Sequence, residues 1–269
     1  MTAPRIAICS QKGGVGKTTF ALNLGLALAQ LGHRTVIAEL DPQESLADSL
    51  LQRGATGPGL HQVLRGSATL DEAVVPTKVP GLSLLMVGEV DPLAAWDFHA
   101  LTAQPGRLGQ VLSGLGEETF VLMDCPSGVT GATLGALGAA SHAIIPIQAE
   151  PLSIRSVDHV LQVMARIRES VNPELALLGL VLMMFDREAE ASLEVVRTAW
   201  RDLDSEVLFE TIVPRNPVYL EASLHGVPVG FMAPGLHPEG RRFQMLATEI
   251  LGRLAREEER HAGPVQTLL

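Results

Sequence analysis

Nine residues, Gln11-Lys-Gly-Gly-Val-Gly-Lys-Thr-Thr19, directly follow the apolar run Ile6-Ala7-Ile8-Cys9 and precede a segment in which Phe20, Leu24 and Leu28 share a helical face. Strand, glycine-rich turn and helix, in that order, form the context in which such a run becomes a phosphate loop. The backbone N–H groups of Gly13, Gly14, Val15, Gly16 and Lys17 can converge on oxyanions, helped by the partial positive charge of a helix N-terminus. Lys17 then reaches the β- and γ-phosphates of a nucleoside triphosphate, and the Thr18 hydroxyl coordinates Mg²⁺. The usual pattern has glycine five residues before Gly16, where this chain has Gln11. A further lysine, Lys12, opens the loop instead.

The rest of the chain reads as apolar strands alternating with helical segments. Strands are expected at 6–9, 34–39, 82–87, 120–124, 143–148, 177–183 and 207–213. Helices are expected at 18–31, 45–52, just before Arg65, 105–116, 189–203 and 239–259. Another helix carries the stripe Ile154, Val157, Leu161, Met164 and Ile167. Residues 54–59 read as a loop, and 89–104 fit no single pattern. Such alternation predicts an α/β chain, a three-layer P-loop NTPase fold with a mostly parallel central sheet and helices on both faces. The expected organisation is one ATPase domain over residues 1–260 and a flexible C-terminal tail over 261–269.

At 269 residues the chain can bury a large core, and its 46% hydrophobic and 19% charged residues argue against disorder. No apolar run is long enough to span a bilayer, and residues 1–9 lack the pattern of a secretory signal, so a cytoplasmic protein is expected. Cys9 and Cys125 fall in or beside expected strands and read as core residues, and the histidines show no zinc-ligand spacing. A formal net charge of −10 weakens long-range attraction to phosphate backbones, although a local basic patch could survive it.

Ligands of parallel sheets bind beyond the carboxyl ends of the strands. That rule gathers Gly13 to Thr18, Asp41, Asp124, Gln148 and Pro214-Arg215 along one edge. Asp124 closes an apolar strand, where an uncompensated carboxylate is costly, and holding Mg²⁺ would offset its charge. Asp41 could cap the next helix, orient an attacking water or help fix the metal. Glu39, two residues earlier, points the same way as Asp41 in an extended strand. Lys12 could face solvent, contact its own nucleotide or reach into the site of a partner subunit.

The string Lys12-Gly-Gly-Val-Gly-Lys-Thr-Thr19 resembles the deviant Walker A motif of the ParA/Soj/MinD superfamily. Leu40-Asp41-Pro42-Gln43 and Met123-Asp124-Cys125-Pro126-Ser127 resemble its switch I and Walker B segments. Gln148-Ala149-Glu150-Pro151, Ile212-Val213-Pro214-Arg215-Asn216 and Glu221-Ala222 extend the resemblance to the ParA/Soj chromosome- and plasmid-partitioning branch. The resemblance covers residues from about 5 to 257. It implies an Mg-dependent ATPase in which Lys12 crosses an ATP-sandwich dimer and Lys17 serves as the ordinary Walker lysine. Thr18 and Asp124 hold Mg²⁺, with Asp41 supporting both the metal and hydrolysis. The nucleotide contacts extend from Lys12 through Thr19, and Pro214 and Arg215 lie beside adenine. It further implies ATP-dependent homodimers, nonspecific binding to double-stranded DNA, association with the nucleoid in the ATP state and stimulation by a ParB-like partner.

The chain also departs from that pattern. Glu39 replaces the first aspartate of the Asp-x-Asp-Pro-Gln run, and Val218, Glu188 and Val227 stand where basic residues are common. The remaining candidates for DNA contact are Arg187, Arg215, Arg241 and Arg242, each of which could instead solvate a face or pair with nearby acids. Two other functions follow from the same residues. One is a protein-positioning or regulatory switch that has lost DNA binding. The other is a metabolic phosphotransferase or ligase using the same loop.

Overall fold

The computed structural model describes residues 3–42, 46, 57–88, 91–129, 131–150, 155–204 and 206–262. Seven strands form one sheet: β1 (Arg5–Ser10), β2 (Thr35–Glu39), β3 (Val74–Pro76), β4 (Leu82–Leu85), β5 (Phe120–Ser127), β6 (His142–Gln148) and β7 (Ala176–Met183). Their spatial order is β3-β4-β2-β5-β1-β6-β7. All neighbours are parallel except β3, which runs antiparallel to β4 at the edge. The expected mostly parallel three-layer fold is therefore present.

Strand alternation sends successive side chains to opposite faces, and each face builds its own core. Ala7, Cys9, Val36, Ala38, Val121, Met123 and Ile145 point to one side. There they meet α2 (Leu60–Arg65), α4 (Pro92–Thr102), α5 (Arg107–Ser113), α6 (Gly131–Ala139), α7 (Arg155–Ser170) and α8 (Glu190–Asp202). Ile6, Ile8, Ile37, Leu84, Leu122 and Ile144 point to the other side, against α1 (Lys17–Gln30), α9 (Val218–His225) and α10 (Pro238–Ala262). The Phe20 and Phe243 rings meet edge-on at 6.0 Å, fastening α10 to α1. Asn23 continues the join by accepting the Val229 N–H at 2.8 Å.

Several elements differ from the sequence reading. The segment 89–104 holds α4, whose start is set by Asp91 accepting the N–H groups of Leu93 and Ala94, with Pro92 in the first turn. The turn α3 (Leu70–Ala73) is capped reciprocally by Thr69 and Glu72 and leads into β3, which is only three residues long and ends in proline. The helix α6 was hidden by its glycines, one of which the packing requires: a Cβ on Gly135 would collide with the Thr102 carbonyl of α4. The helix expected at 45–52 lies outside the described residues except for Leu46, which is fully buried. The terminal helix reaches Ala262, and residues 263–269 lie outside the described residues.

The strand expected at 207–213 is a correction. Only two parallel bridges form there, Leu180 with Leu208 and Phe185 with Pro214. Between them Glu249 of α10 accepts the N–H groups of Glu210 and Thr211, at 2.8 and 3.1 Å. Arg253 donates to the carbonyls of Leu178 and Leu208 and lies 4.0 Å over the Phe209 ring. Backbone pairing with β7 continues at either end, through the Phe209 N–H to the Leu180 carbonyl and the Val213 N–H to the Leu182 carbonyl, and between them Glu249 takes the Thr211 N–H. Among the described residues no helix is long and apolar enough to cross a membrane.

The α4–α6 contact predicts that Gly135→Ala destabilises the protein by about 1–3 kcal/mol, through overpacking against backbone. The helix-propensity gain of up to about 1 kcal/mol works against that loss and is the smaller effect. Urea unfolding measures the balance; unchanged or increased stability would contradict the close helix approach.

Candidate functional site

The carboxyl ends of β1, β2, β5 and β6 converge where β1 turns into α1. Gly14 and Gly16 occupy the left-handed region at φ 71° and 89°, which side chains rarely adopt, so the turn depends on glycine there. Gly16 caps α1, and Lys17 begins it. Gly13 and Gly14 are exposed, whereas Val15 is buried and wedges the loop against the core. The Ser10 hydroxyl donates to the Lys12 carbonyl at 2.8 Å, fixing the loop's entry. At its exit, the Thr19 carbonyl accepts from Asn23 at 2.8 Å.

Lys17 is itself buried, and its Nζ donates to Ser127 Oγ at 3.2 Å. Ser127 closes β5 three residues after Asp124 and faces Gly13, where an added Cβ would stand 3.2 Å from the hydroxyl. Asp124 is fully buried, and neither carboxylate oxygen has a hydrogen-bond partner in the structure. Burial pushes its carboxyl up from 3.8 to about 7, against the lowering effects of Thr18 and Lys17 and with a further rise from Asp41. The Thr18 hydroxyl is near enough to favour the charged form, yet it meets hydrogen-bond geometry with neither oxygen. Lys17, Thr18, Asp41 and Asp124 therefore share one electrostatic neighbourhood.

An orphaned, buried carboxylate beside a threonine hydroxyl and a phosphate loop fits a hard divalent cation that takes its remaining ligands from phosphate and water. The described residues contain no group of three or more acidic, histidine or cysteine side chains that could hold a metal by themselves. That donor set suits an ion arriving with a nucleotide.

Glu39 closes β2. It is fully buried, and its carboxylate accepts the N–H of Leu46 at 2.8 Å and of Val87 at 3.3 Å. The longer side chain spans from the end of β2 to the segments after β2 and β4. It therefore anchors the chain following Asp41. Sequence reasoning did not assign Ser127, and it placed Gln148 on the edge without a role. Gln148 ends β6 and donates to the Gly14 carbonyl at 3.1 Å. Neither residue lies in a periodic pattern, and their signals were membership of the family-like segments at 123–127 and 148–151 and, for Gln148, position at a strand end.

Pro214 reaches the same edge through its bridge to Phe185, and the Arg215 N–H donates to the Phe185 carbonyl at 2.8 Å. Met184, beside Phe185, and Met183 each bring a terminal methyl to 3.5 Å of the Cβ position on Gly16. The phosphate loop and the 213–215 segment thus meet across the end of β7. The four arginines have separate surroundings. Arg187 is exposed in the turn after β7, and Arg215 faces Glu150 at 3.9 Å. Arg241 lines a groove along α10. Arg242 donates to Glu239 at 2.9 Å and to the Ile212 carbonyl at 3.2 Å, so its guanidinium is engaged inside the fold.

A parallel sheet, a glycine-rich phosphate loop and a buried carboxylate at the next strand's tip define the class of P-loop nucleoside triphosphatases. Residues 3–177 match the AAA domain family. Over 262 residues the chain is 32% identical to the chromosome partitioning protein ParA of Caulobacter vibrioides, covering 96% of each chain. It is 34% identical over 250 residues to the chromosome-partitioning ATPase Soj of Thermus thermophilus, covering 93% of this chain and 96% of that one. A solved structure of cobyrinic acid a,c-diamide synthase from Mycobacterium smegmatis, with bound ADP and magnesium, aligns at a TM-score of 0.76 and 27% identity, covering 96% of this chain and 97% of that one. The chain belongs to the ParA/Soj family of chromosome-partitioning ATPases.

The Asp124 carboxyl supplies a pH test in the absence of magnesium and nucleotide. Its folded-state value of about 7 lies above 3.8, so between those values the native state binds more protons than the unfolded chain. Stability from this group is therefore fully present below 3.8 and lost as pH rises through about 7. Asp124→Asn removes that dependence, so its stability relative to wild type should be higher at pH 8 than at pH 5, measured by urea midpoints in chelator. An equal difference at both pH values would contradict the buried, uncompensated carboxylate.

Proposed function

We propose that the chain is an ATP-dependent dimerisation switch whose weak hydrolysis is stimulated by a ParB-like partner. Its ATP-bound dimer binds double-stranded DNA without sequence preference and so segregates or positions a chromosome, plasmid or other cargo. Lys12 carries this reading: a second lysine, half-buried, stands at the mouth of a phosphate loop that already has Lys17. One lysine suffices to neutralise a nucleotide's own phosphates in the ordinary loop. A second at the entrance suits phosphates presented by a facing subunit, where charge developing on a transferring phosphoryl group needs a further cation.

In this reading the backbone from Lys12 to Thr19 cradles the phosphates, and Pro214 and Arg215 border the base. Thr18, Asp124 and Asp41 hold Mg²⁺, which when bound neutralises phosphate charge. Asp41 also orients the attacking water. Ser127 keeps the Lys17 ammonium at the loop. Family membership supports ATP turnover.

A second reading keeps the switch and replaces DNA with a protein scaffold. The net charge of −10 and the engagement of Arg242 and Arg215 by Glu239 and Glu150 favour it. The likeness to a synthase suggests small-molecule chemistry as a further reading. A groove of about 1110 Å³ runs along α10 past Leu177 and Leu178, at the start of β7. The phosphate loop lies at the opposite ends of the strands, so this groove does not present an acceptor to a transferred phosphate.

Light scattering with Mg-ATP and with Mg-ADP tests the switch. Wild type should double in mass with ATP alone, and Lys12→Gln should stay monomeric while still binding nucleotide. Normal dimerisation by that variant would remove the cross-subunit role. Asp41→Ala should bind Mg-ATP and hydrolyse it roughly tenfold or more slowly in single turnover; a wild-type rate would remove Asp41 from the chemistry.

A further inference from the structure

We propose that Gln148 is a positioning residue that sets the direction of the Gly14–Val15 peptide, and with it one of the N–H donors offered to a nucleotide phosphate. The inference rests on reading residues 12–19 as the phosphate cradle. Gln148 stands at the carboxyl end of β6, the parallel neighbour of β1. Its Nε2 donates to the Gly14 carbonyl at 3.1 Å and lies 3.3 Å from Met184 Sδ. Both neighbours are acceptors, so the amide must turn its NH₂ group, not its carbonyl, toward the loop.

The consequence follows from peptide geometry. The described chain has no cis peptide bonds, so the Gly14 carbonyl and the Val15 N–H lie in one plane and point in opposite directions. Tethering the carbonyl to Gln148 turns the Val15 N–H away from β6 and leaves it available to an oxyanion. A tether matters on the amino side of this peptide, where Gly14 is in the left-handed region and has no side chain to restrict rotation, while buried Val15 holds the other side. A flipped peptide would present a carbonyl oxygen where the cradle needs a donor, replacing attraction for phosphate with repulsion.

Met184 fixes the amide from its other side. It is the one non-glycine residue with positive φ among the described residues, at 55°. Its terminal methyl also reaches 3.5 Å from the Cβ position on Gly16. The next residue, Phe185, bridges to Pro214. Gln148 therefore joins the phosphate loop to the 213–215 segment, which borders the base in the proposed function.

The test compares Gln148→Met, which keeps the side chain's length without its donor, with Gln148→Ala and Lys17→Ala. Mg-ADP affinity and the amide resonance of ¹⁵N-labelled Val15 are measured for each, with thermal unfolding of the nucleotide-free protein. Both Gln148 variants should melt near the wild-type temperature and bind Mg-ADP roughly three- to tenfold more weakly, as expected for loss of one hydrogen bond. They should also lose the Val15 shift that Mg-ADP induces in wild type, a readout that a general packing defect would not selectively move. A wild-type Val15 response in either folded variant, with or without a loss of affinity, would overturn the positioning role. Full Mg-ADP binding by Lys17→Ala would instead overturn the cradle reading itself. Weak binding by Lys17→Ala beside wild-type Gln148 variants would defeat only the Gln148 inference.

Discussion

Removing the Asp124 carboxylate from water without giving either oxygen a hydrogen-bond partner is costly, and the surrounding protein offsets that cost only in part. Lys17 and Thr18 favour the charge, whereas burial and Asp41 oppose it. The balance leaves a buried carboxylate whose charge a cation from outside would offset. The rest of the edge is arranged around that requirement. Parallel strands bring β5, β1 and β6 to a common end, α1 points its N-terminus there, and Ser127 holds the lysine ammonium beside the loop. A site unfinished without its ligand is also suited to act as a switch, because the ligand stabilises one arrangement over the others.

Much of this edge was legible because it obeys local rules. Gly14 and Gly16 must be glycine for the turn, and the apolar runs of β1, β5 and β6 are long enough to read as buried strands. Asp124 stood out as a carboxylate ending an apolar run. The missed elements lacked period or length. The helix α6 carries glycines that suit close packing and conceal helix propensity, and β3 has only three residues. The start of α4 was announced by Asp91-Pro92, a capping signal present in the sequence but set beside an ambiguous stretch.

Other failures came from tertiary contacts that no local pattern carries. The β propensity of 207–213 is real in its partial pairing with β7, yet Glu249 of α10, far along the chain, takes the Thr211 N–H between the paired ends. Glu39 alternates as a strand residue should, but its extra methylene lets it bind the N–H groups of Leu46 and Val87 inside the core. Gln148 was visible as a strand-end residue, whereas its reach to the Gly14 carbonyl depends on how β6 lies beside β1. Type and order of elements follow from nearby residues; which side chain claims which backbone group follows from the whole fold.

The link between site and function is electrostatic. Of four arginines available for a phosphate backbone, Arg242 is held by Glu239 and Ile212, and Arg215 shares its charge with Glu150, on a chain of net charge −10. A DNA surface on such a chain would have to be assembled locally, and the proposed pairing of two subunits would double the number of cations facing one duplex. Binding to a nonspecific DNA duplex across a salt series, with Mg-ATP and with Mg-ADP, tests this most directly. The account predicts binding with ATP alone that weakens steeply as salt rises. Equal binding with both nucleotides, or none from a dimer that ATP has assembled, would contradict a nucleotide-gated DNA switch.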